Sequence, residues 1–142
     1  MSKWADRFLA LAEHIAEWSQ DPSTKVGAVI VDSQKRVVSM GYNGFPRGIK
    51  DLPERYNNKE TKHLFVCHAE RNAIDNAPRS VEGCTIYVPL LPCNECAKSI
   101  IQSGIKKVVT YQPTREDKFN WDVTRLMFQE AEISLYEGKK VI

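Results

Sequence analysis

Cys93 and Cys96 form a Cys-x-x-Cys pair directly after Pro92, and upstream of them the stretch Cys67-His68-Ala69-Glu70 sets a histidine and a glutamate two positions apart. By itself the cysteine pair fits a redox couple, half of a structural zinc site, or two helix-start residues with no chemistry. A lone histidine and glutamate beside an apolar stripe are an ordinary surface pair. Together the two segments supply two sulfurs, an imidazole and a carboxylate, and sulfur and imidazole are the donors zinc prefers in a tetrahedron. Three protein ligands leave a fourth position for water, the arrangement of a catalytic centre. His68, Cys93 and Cys96 are therefore the candidate zinc ligands and Glu70 the candidate catalytic group.

The spacing has a physical reason. Two intervening residues let Cys96 come from the first turn of a helix and point back at the metal that Cys93 binds, and a helix amino terminus favours thiolate over thiol. Glu70 lies two residues past a ligand, beside the metal without entering its shell, and reads as a proton shuttle. Two thiolates cancel the formal charge of zinc, so a neighbouring base matters more for activating water. His-x-Glu followed by Pro-Cys-x-x-Cys is the pattern of zinc deaminases, in which water adds at the carbon bearing an amino group and ammonia leaves. Cys67 and Cys84 read as core residues and His14 as a solvated helix residue, while His63 is left open.

Helices and strands must bring these segments together. Trp4, Phe8, Leu11, Ile15 and Trp18 make one apolar stripe on a helix ending before Asp21-Pro22. Val26 to Val31 reads as a strand buried on both faces, joined through a turn at Asp32 to Lys35 to a second strand from about Arg36 to Met40. Gly41-Tyr42-Asn43-Gly44-Phe45-Pro46-Arg47-Gly48 reads as a shaped loop and not a strand continuation, followed by a polar segment to about Lys62. Ala69, Ala73, Ile74 and Ala77 line a helix stopped by Pro78, and Cys84 to Val88 is a third strand. Pro92 to Cys96 opens another helix, ended by Gly104; Val108 to Tyr111, a last helix around Val123 to Ala131, and a strand at Ile133 to Tyr136 complete the pattern. This order predicts an α/β fold, a three-layer α/β/α sandwich with a mixed five-stranded sheet.

At 142 residues the chain fits one domain spanning residues 1–142. Hydrophobic residues at 42% and charged residues at 27% are those of a soluble protein, and no apolar run approaches the roughly 20 residues that cross a bilayer. No signal peptide is read at the amino terminus, so the expected compartment is the cytoplasm, where four cysteines serve as ligands or core residues and not as disulfides. A net charge of +2 is too small for duplex nucleic acid but does not oppose a small phosphorylated ligand.

Besides the metal motif, Asp21-Pro22-Ser23-Thr24-Lys25-Val26-Gly27-Ala28 and the stretch from Gly41 to Gly48 complete a pattern that, over about residues 4 to 136, resembles the deoxycytidylate (dCMP) deaminases of the cytidine deaminase-like superfamily. The metal motif is common to the superfamily; the two added stretches point to dCMP. The resemblance implies hydrolysis of dCMP to dUMP, the precursor of dTMP, with Zn2+ as cofactor. It places Ser23, Thr24 and Lys25 at the 5′-phosphate, Asn43 at the deoxyribose or base, and the backbone of Ala69 at the amide edge of the pyrimidine. It further implies activation by dCTP and inhibition by dTTP, with Mg2+ on the triphosphate, at a regulatory site built from Asn43, Gly44, Phe45, Pro46, Arg47 and Gly48, in a homo-oligomer that is commonly a hexamer. Lys25 at a turn and Arg47 between glycines are the charges a phosphate needs.

One departure is Glu130-Ala131-Glu132, where the family usually ends its last helix in glycine and this chain has Glu132. Arg115 and Trp121, before that helix, are open between closing over substrate and packing an interface. Alternatives are a deaminase of deoxycytidine, guanine or adenosine in transfer RNA, the last opposed by the small net charge. A purely structural zinc module is opposed by the lack of a fourth ligand.

Overall fold

The computed structural model describes residues 2–114 and 120–140. Helix α1 (Lys3–Ala16) starts at Ser2, whose hydroxyl accepts from the Ala5 amide at 3.1 Å. Its apolar stripe, Phe8, Leu9, Ala12 and Ile15, is buried against the sheet. Trp18 is not part of that stripe. The helix ends at Ala16, so the helical spacing no longer applies and the Trp18 ring, 53% exposed, stands edge-on to Tyr42.

Strand β1 (Gly27–Val31) is buried along its whole length. Alternation divides its side chains: Val29 and Val31 pack against α1, while Ala28 and Ile30 enter the core on the other face. A turn with Lys35 at φ 66° leads into the antiparallel β2 (Val37–Tyr42). Thus Gly41 and Tyr42 end a strand and do not open a loop, because they pair with Ala28 and Gly27.

The polar segment also holds two short helices that the sequence reading did not anticipate, α2 (Pro53–Asn57) and α3 (Lys59–Phe65). Only Tyr56 of α2 and no residue of α3 is buried, so no apolar stripe announced them. They begin with local signals instead: Pro53 at the start of α2, and Asn58 accepting from the Thr61 amide at 3.0 Å ahead of α3.

Helix α4 (Ala69–Asp75) then leads to β3 (Thr85–Tyr87), α5 (Asn94–Gln102), β4 (Lys107–Tyr111), α6 (Trp121–Glu130) and β5 (Ser134–Gly138). The sheet order is β2-β1-β3-β4-β5, with β3, β4 and β5 parallel and β1 antiparallel to both its neighbours. Helix α1 covers one face; α4, α5 and α6 supply Ala69, Ala73, Ala97, Ile100 and Phe128 to the core on the other. The mixed three-layer sandwich expected from the sequence is the fold observed.

Two glycines set how closely the layers approach. A Cβ on Gly27 would sit 2.0 Å from the carbonyl oxygen of Ala12 in α1, and one on Gly41 would sit 2.4 Å from the amide nitrogen of Ala73 in α4. Both helices therefore lie directly on the sheet backbone. At the far end, Arg125 of α6 forks onto Glu137 of β5 at 3.0 and 2.9 Å.

Glu132 keeps the left-handed cap despite its side chain: φ is 59°, and the Ile133 amide returns to the Phe128 carbonyl at 2.9 Å. The left-handed backbone costs a non-glycine residue roughly 1–2 kcal/mol, part of which glycine gives back as chain entropy. Glu132→Gly is expected to raise stability by about 0.5–1 kcal/mol in urea denaturation. Gly41→Ala is expected to lower it by about 2–3 kcal/mol, since a backbone atom must move.

Candidate active site

His68 and Cys93 occupy equivalent places, each in extended backbone immediately before a helix, α4 and α5 respectively. Neither side chain caps its own helix, which leaves both free to face each other. Nδ1 of His68 lies 3.5 Å from Sγ of Cys93 and 3.3 Å from Sγ of Cys96, and all three donor atoms fall within 4.8 Å of one another. Zinc–nitrogen and zinc–sulfur bonds of about 2.0–2.3 Å give tetrahedral edges of roughly 3.3–3.8 Å. The donor set and its spacing fit zinc.

The metal-free electrostatics show how the site is prepared. The Cys93 thiol is held down to about 4, chiefly by the hydrogen bond from Cys96 and then by His68. Cys96, as the donor of that bond and as a buried group, is pushed up. His68 is raised by its bond to Cys93. Zinc binds thiolate and neutral imidazole, so protons compete with it at these three residues and its affinity falls as pH falls.

Glu70, in the first turn of α4, is 5% exposed and has its carboxyl pushed up to about 7 by burial. It opens onto a cavity of about 690 Å³ together with His68, Ala69 and Cys93. Leu90, Leu91 and Trp121 form an apolar wall, and Asp21, Ser23, Thr24, Lys59, Lys62 and His63 bring charge and hydrogen-bonding groups to the rest of the lining.

Comparison with known proteins bears directly on this arrangement. Residues 2–112 match the family described as the cytidine and deoxycytidylate deaminase zinc-binding region. The chain belongs to this deaminase family. It is 44% identical over 139 residues to an uncharacterized deaminase of Aliivibrio fischeri, covering 95% of this chain and 93% of that one. It is 45% identical over 138 residues to the deoxycytidylate deaminase of Mus musculus, covering 93% and 78% respectively. The dCMP deaminase of cyanophage S-TIM5, solved in complex with dCMP and dUMP, superposes with a TM-score of 0.77 at 26% identity, over 96% of this chain and 98% of that one. The protein is a deaminase, hence a hydrolase.

The deaminase gathers some of the residues read from sequence into the cavity and not others. Ser23, Thr24, Asn43 and Ala69 line it with His68, Cys93 and Glu70, whereas Lys25 is exposed and outside the lining, as is Cys96. Asn43 is a strut: its Oδ1 accepts from the Val26 amide at 2.8 Å and its Nδ2 donates to the Thr24 carbonyl at 2.9 Å. Gly44, Phe45, Pro46, Arg47 and Gly48 lie outside the lining. Gly44 pairs with Cys67 through two backbone bonds, Phe45 stacks on Tyr56 at 4.1 Å, and Arg47 donates to Asn76 at 2.7 Å.

Of the groups left open, His63 and Trp121 line the cavity; Arg115 lies outside the described residues. Cys84 is buried as expected, while Cys67 is only half-buried. The sequence reading missed Lys59 and Lys62. A signal was there: Lys59, Lys62 and His63 are spaced by three and one, which puts them on one side of a helix once α3 is known to exist.

Cys93→Ala is expected to lose the metal, read as zinc per chain by elemental analysis after gel filtration. Retention of a full equivalent would show the ligand set to be different.

Proposed function

We infer that the protein hydrolyses dCMP to dUMP and ammonia, using zinc held by His68, Cys93 and Cys96. The observation that carries this reading is one cavity joining His68, Cys93 and Glu70 to a basic, hydroxyl-bearing rim. A pyrimidine nucleotide needs both features, reactive chemistry at its base and charge at its 5′-phosphate. The deoxycytidylate deaminase of Mus musculus shares much of the sequence, and the dCMP deaminase of cyanophage S-TIM5 shares the fold.

Zinc bound at this site supplies a Lewis acid that makes water nucleophilic near neutral pH. The remaining work falls to the protein. Glu70 accepts the proton that the attacking water gives up and delivers it to the ring nitrogen beside the amino-bearing carbon. It then carries the second proton to the departing amino group, so that water and dCMP become dUMP and ammonia. Burial suits Glu70 to this double task, because a carboxyl raised toward neutrality both takes and gives a proton. The backbone at Ala69 meets the amide edge of the pyrimidine, and Leu90, Leu91 and Trp121 exclude water from the ring. The phosphate lies at the rim that holds Ser23 and Thr24.

The reading extends to regulation by dCTP and dTTP, with Mg2+ on the triphosphate, at the loop from Asn43 to Gly48. In support, Arg47 is exposed there, and the Gly44–Cys67 pairing ties the loop to the residue before His68. A homo-oligomer, with a hexamer favoured, accords with Val37, Met40 and Tyr42 standing exposed on the outer strand β2 beside Trp18. No described helix is long and apolar enough to cross a membrane, and the proposed setting is the cytoplasm.

The test is ammonia release from dCMP, dCTP and deoxycytidine, each with and without dCTP or dTTP. Turnover of dCMP above the others supports the reading, and turnover of deoxycytidine alone would overturn it. Glu70→Gln is expected to keep zinc while kcat falls about 10²–10⁴-fold.

A further inference from the structure

A nucleotide differs from a nucleoside by its 5′-phosphate, so the hydrogen-bond donors at the cavity rim decide between them. Oδ1 of Asp21 accepts from the Ser23 amide at 2.9 Å, the Ser23 hydroxyl at 3.0 Å and the Thr24 amide at 3.2 Å. Oδ2 of Asp21 faces Nζ of Lys62 at 3.1 Å, and the same ammonium donates to Oγ of Ser23 at 3.2 Å. A serine hydroxyl has one proton, and in Ser23 it is engaged by Asp21. Ser23 therefore has no donor for an incoming phosphate.

An ammonium has three N–H donors. Asp21, through Oδ2 at 3.1 Å and Oδ1 at 3.5 Å, and Ser23 hold Lys62 from one side, and its side chain lines the cavity. Lys62 is also fixed in place: its side chain is 15% exposed and that of Asp21 3%. Lys59 and His63, from the same helix, line the cavity and make no ion pair or side-chain hydrogen bond among the described residues. Lys25 is outside the lining. Because Asp21 already balances Lys62, a dianionic phosphate needs the further positive charge that Lys59 brings.

We propose that Lys62 is the residue that makes this deaminase specific for a 5′-phosphorylated nucleotide, with Lys59 and His63 completing the anion-binding rim. Asp21 is a positioning residue: it holds Lys62 and the Ser23–Thr24 turn in place and does not touch the substrate. The inference rests on the dCMP reading and deepens it.

The experiment compares kcat/KM for dCMP and for deoxycytidine in the zinc-loaded wild-type protein and in Lys62→Gln, Lys62→Arg, Lys59→Gln, Lys25→Gln and Asp21→Asn. Loss of one charge-assisted contact is worth roughly tenfold to a hundredfold. Lys62→Gln is expected to lower kcat/KM for dCMP by about that factor, mainly through KM, and to affect deoxycytidine at least about tenfold less. Lys62→Arg is expected to restore most of the preference, and Asp21→Asn to weaken it through KM. Lys59→Gln, which removes an exposed and untethered side chain, keeps the test valid should Lys62→Gln fold poorly, and is expected to reduce the preference severalfold.

Equal losses on both substrates in Lys62→Gln and Lys59→Gln would reduce the Lys62–Asp21 pair to a structural one. A preference abolished by Lys25→Gln and kept in Lys62→Gln would overturn the assignment in favour of the turn lysine. A wild-type protein that turns over neither compound, or both alike, would remove the dCMP reading itself, a result visible before any variant is made.

Discussion

Everything at the site depends on two helix starts facing one another across the top of the sheet. His68 precedes α4 and Cys93 precedes α5, and the distances of 3.3 and 3.5 Å from Nδ1 to the two sulfurs exist only while both helices keep their places. Side chains on loops would not hold such distances; ligands at the first residues of packed helices do. The packing that fixes α4 is unusually direct, since Gly41 lets the backbone of β2 lie against the backbone of α4 at Ala69 and Ala73. Small residues on the helix and no side chain on the strand leave little room for α4 to tilt. The placing of His68 is thereby tied to a glycine that is not itself part of the site.

A second dependence runs through Asp21 and Asn43. Asn43 joins the Thr24 carbonyl to the Val26 amide, its own carbonyl accepts from the Ser19 hydroxyl at 2.8 Å, and Asp21 organises the turn between them. These groups are buried and mutually satisfied, with no buried side-chain polar atom lacking a partner among the described residues. A network of this kind holds one arrangement because any partial rearrangement leaves an unpaired polar group. It also keeps Asp21 ionised: burial opposes the charge, but the Ser23 and Thr24 amides and Lys62 together lower its carboxyl below the ordinary aspartate value.

What the sequence disclosed follows from how each part is held together. Alternating burial along β1, the apolar stripe of α1 and the small-residue face of α4 are periodic, and periodic patterns survive in a one-dimensional reading. The gathering of His68, Cys93 and Cys96 was legible for a different reason: residue types and local spacings that suit metal coordination can be read along the chain. The basic rim was not. Lys59, Lys62 and His63 lie on a helix with no buried residue, so no apolar stripe marked that segment as helical and their common orientation stayed hidden. Lys62 went unremarked for the same reason, since only the fold shows that it lines the cavity and reaches back to Asp21 while Lys25 lies outside the lining.

The donor set and the buried carboxylate also belong together electrostatically. A zinc ion with two thiolates and a neutral imidazole carries no net formal charge, whereas three imidazoles would leave both positive charges in place. A strongly positive centre beside Glu70 would draw its carboxyl down and fix it as an anion, able to accept a proton only weakly and to keep it hardly at all. With the metal charge cancelled, the raising effect of burial on Glu70 is left largely unopposed. A neutral centre is a weaker Lewis acid, but it permits one residue to act as base and then as acid. In the proposed reaction the two cysteines would thus lower what the metal contributes to activating water while preserving what Glu70 contributes to moving protons, and Glu70 is enclosed at the start of α4 as that division requires.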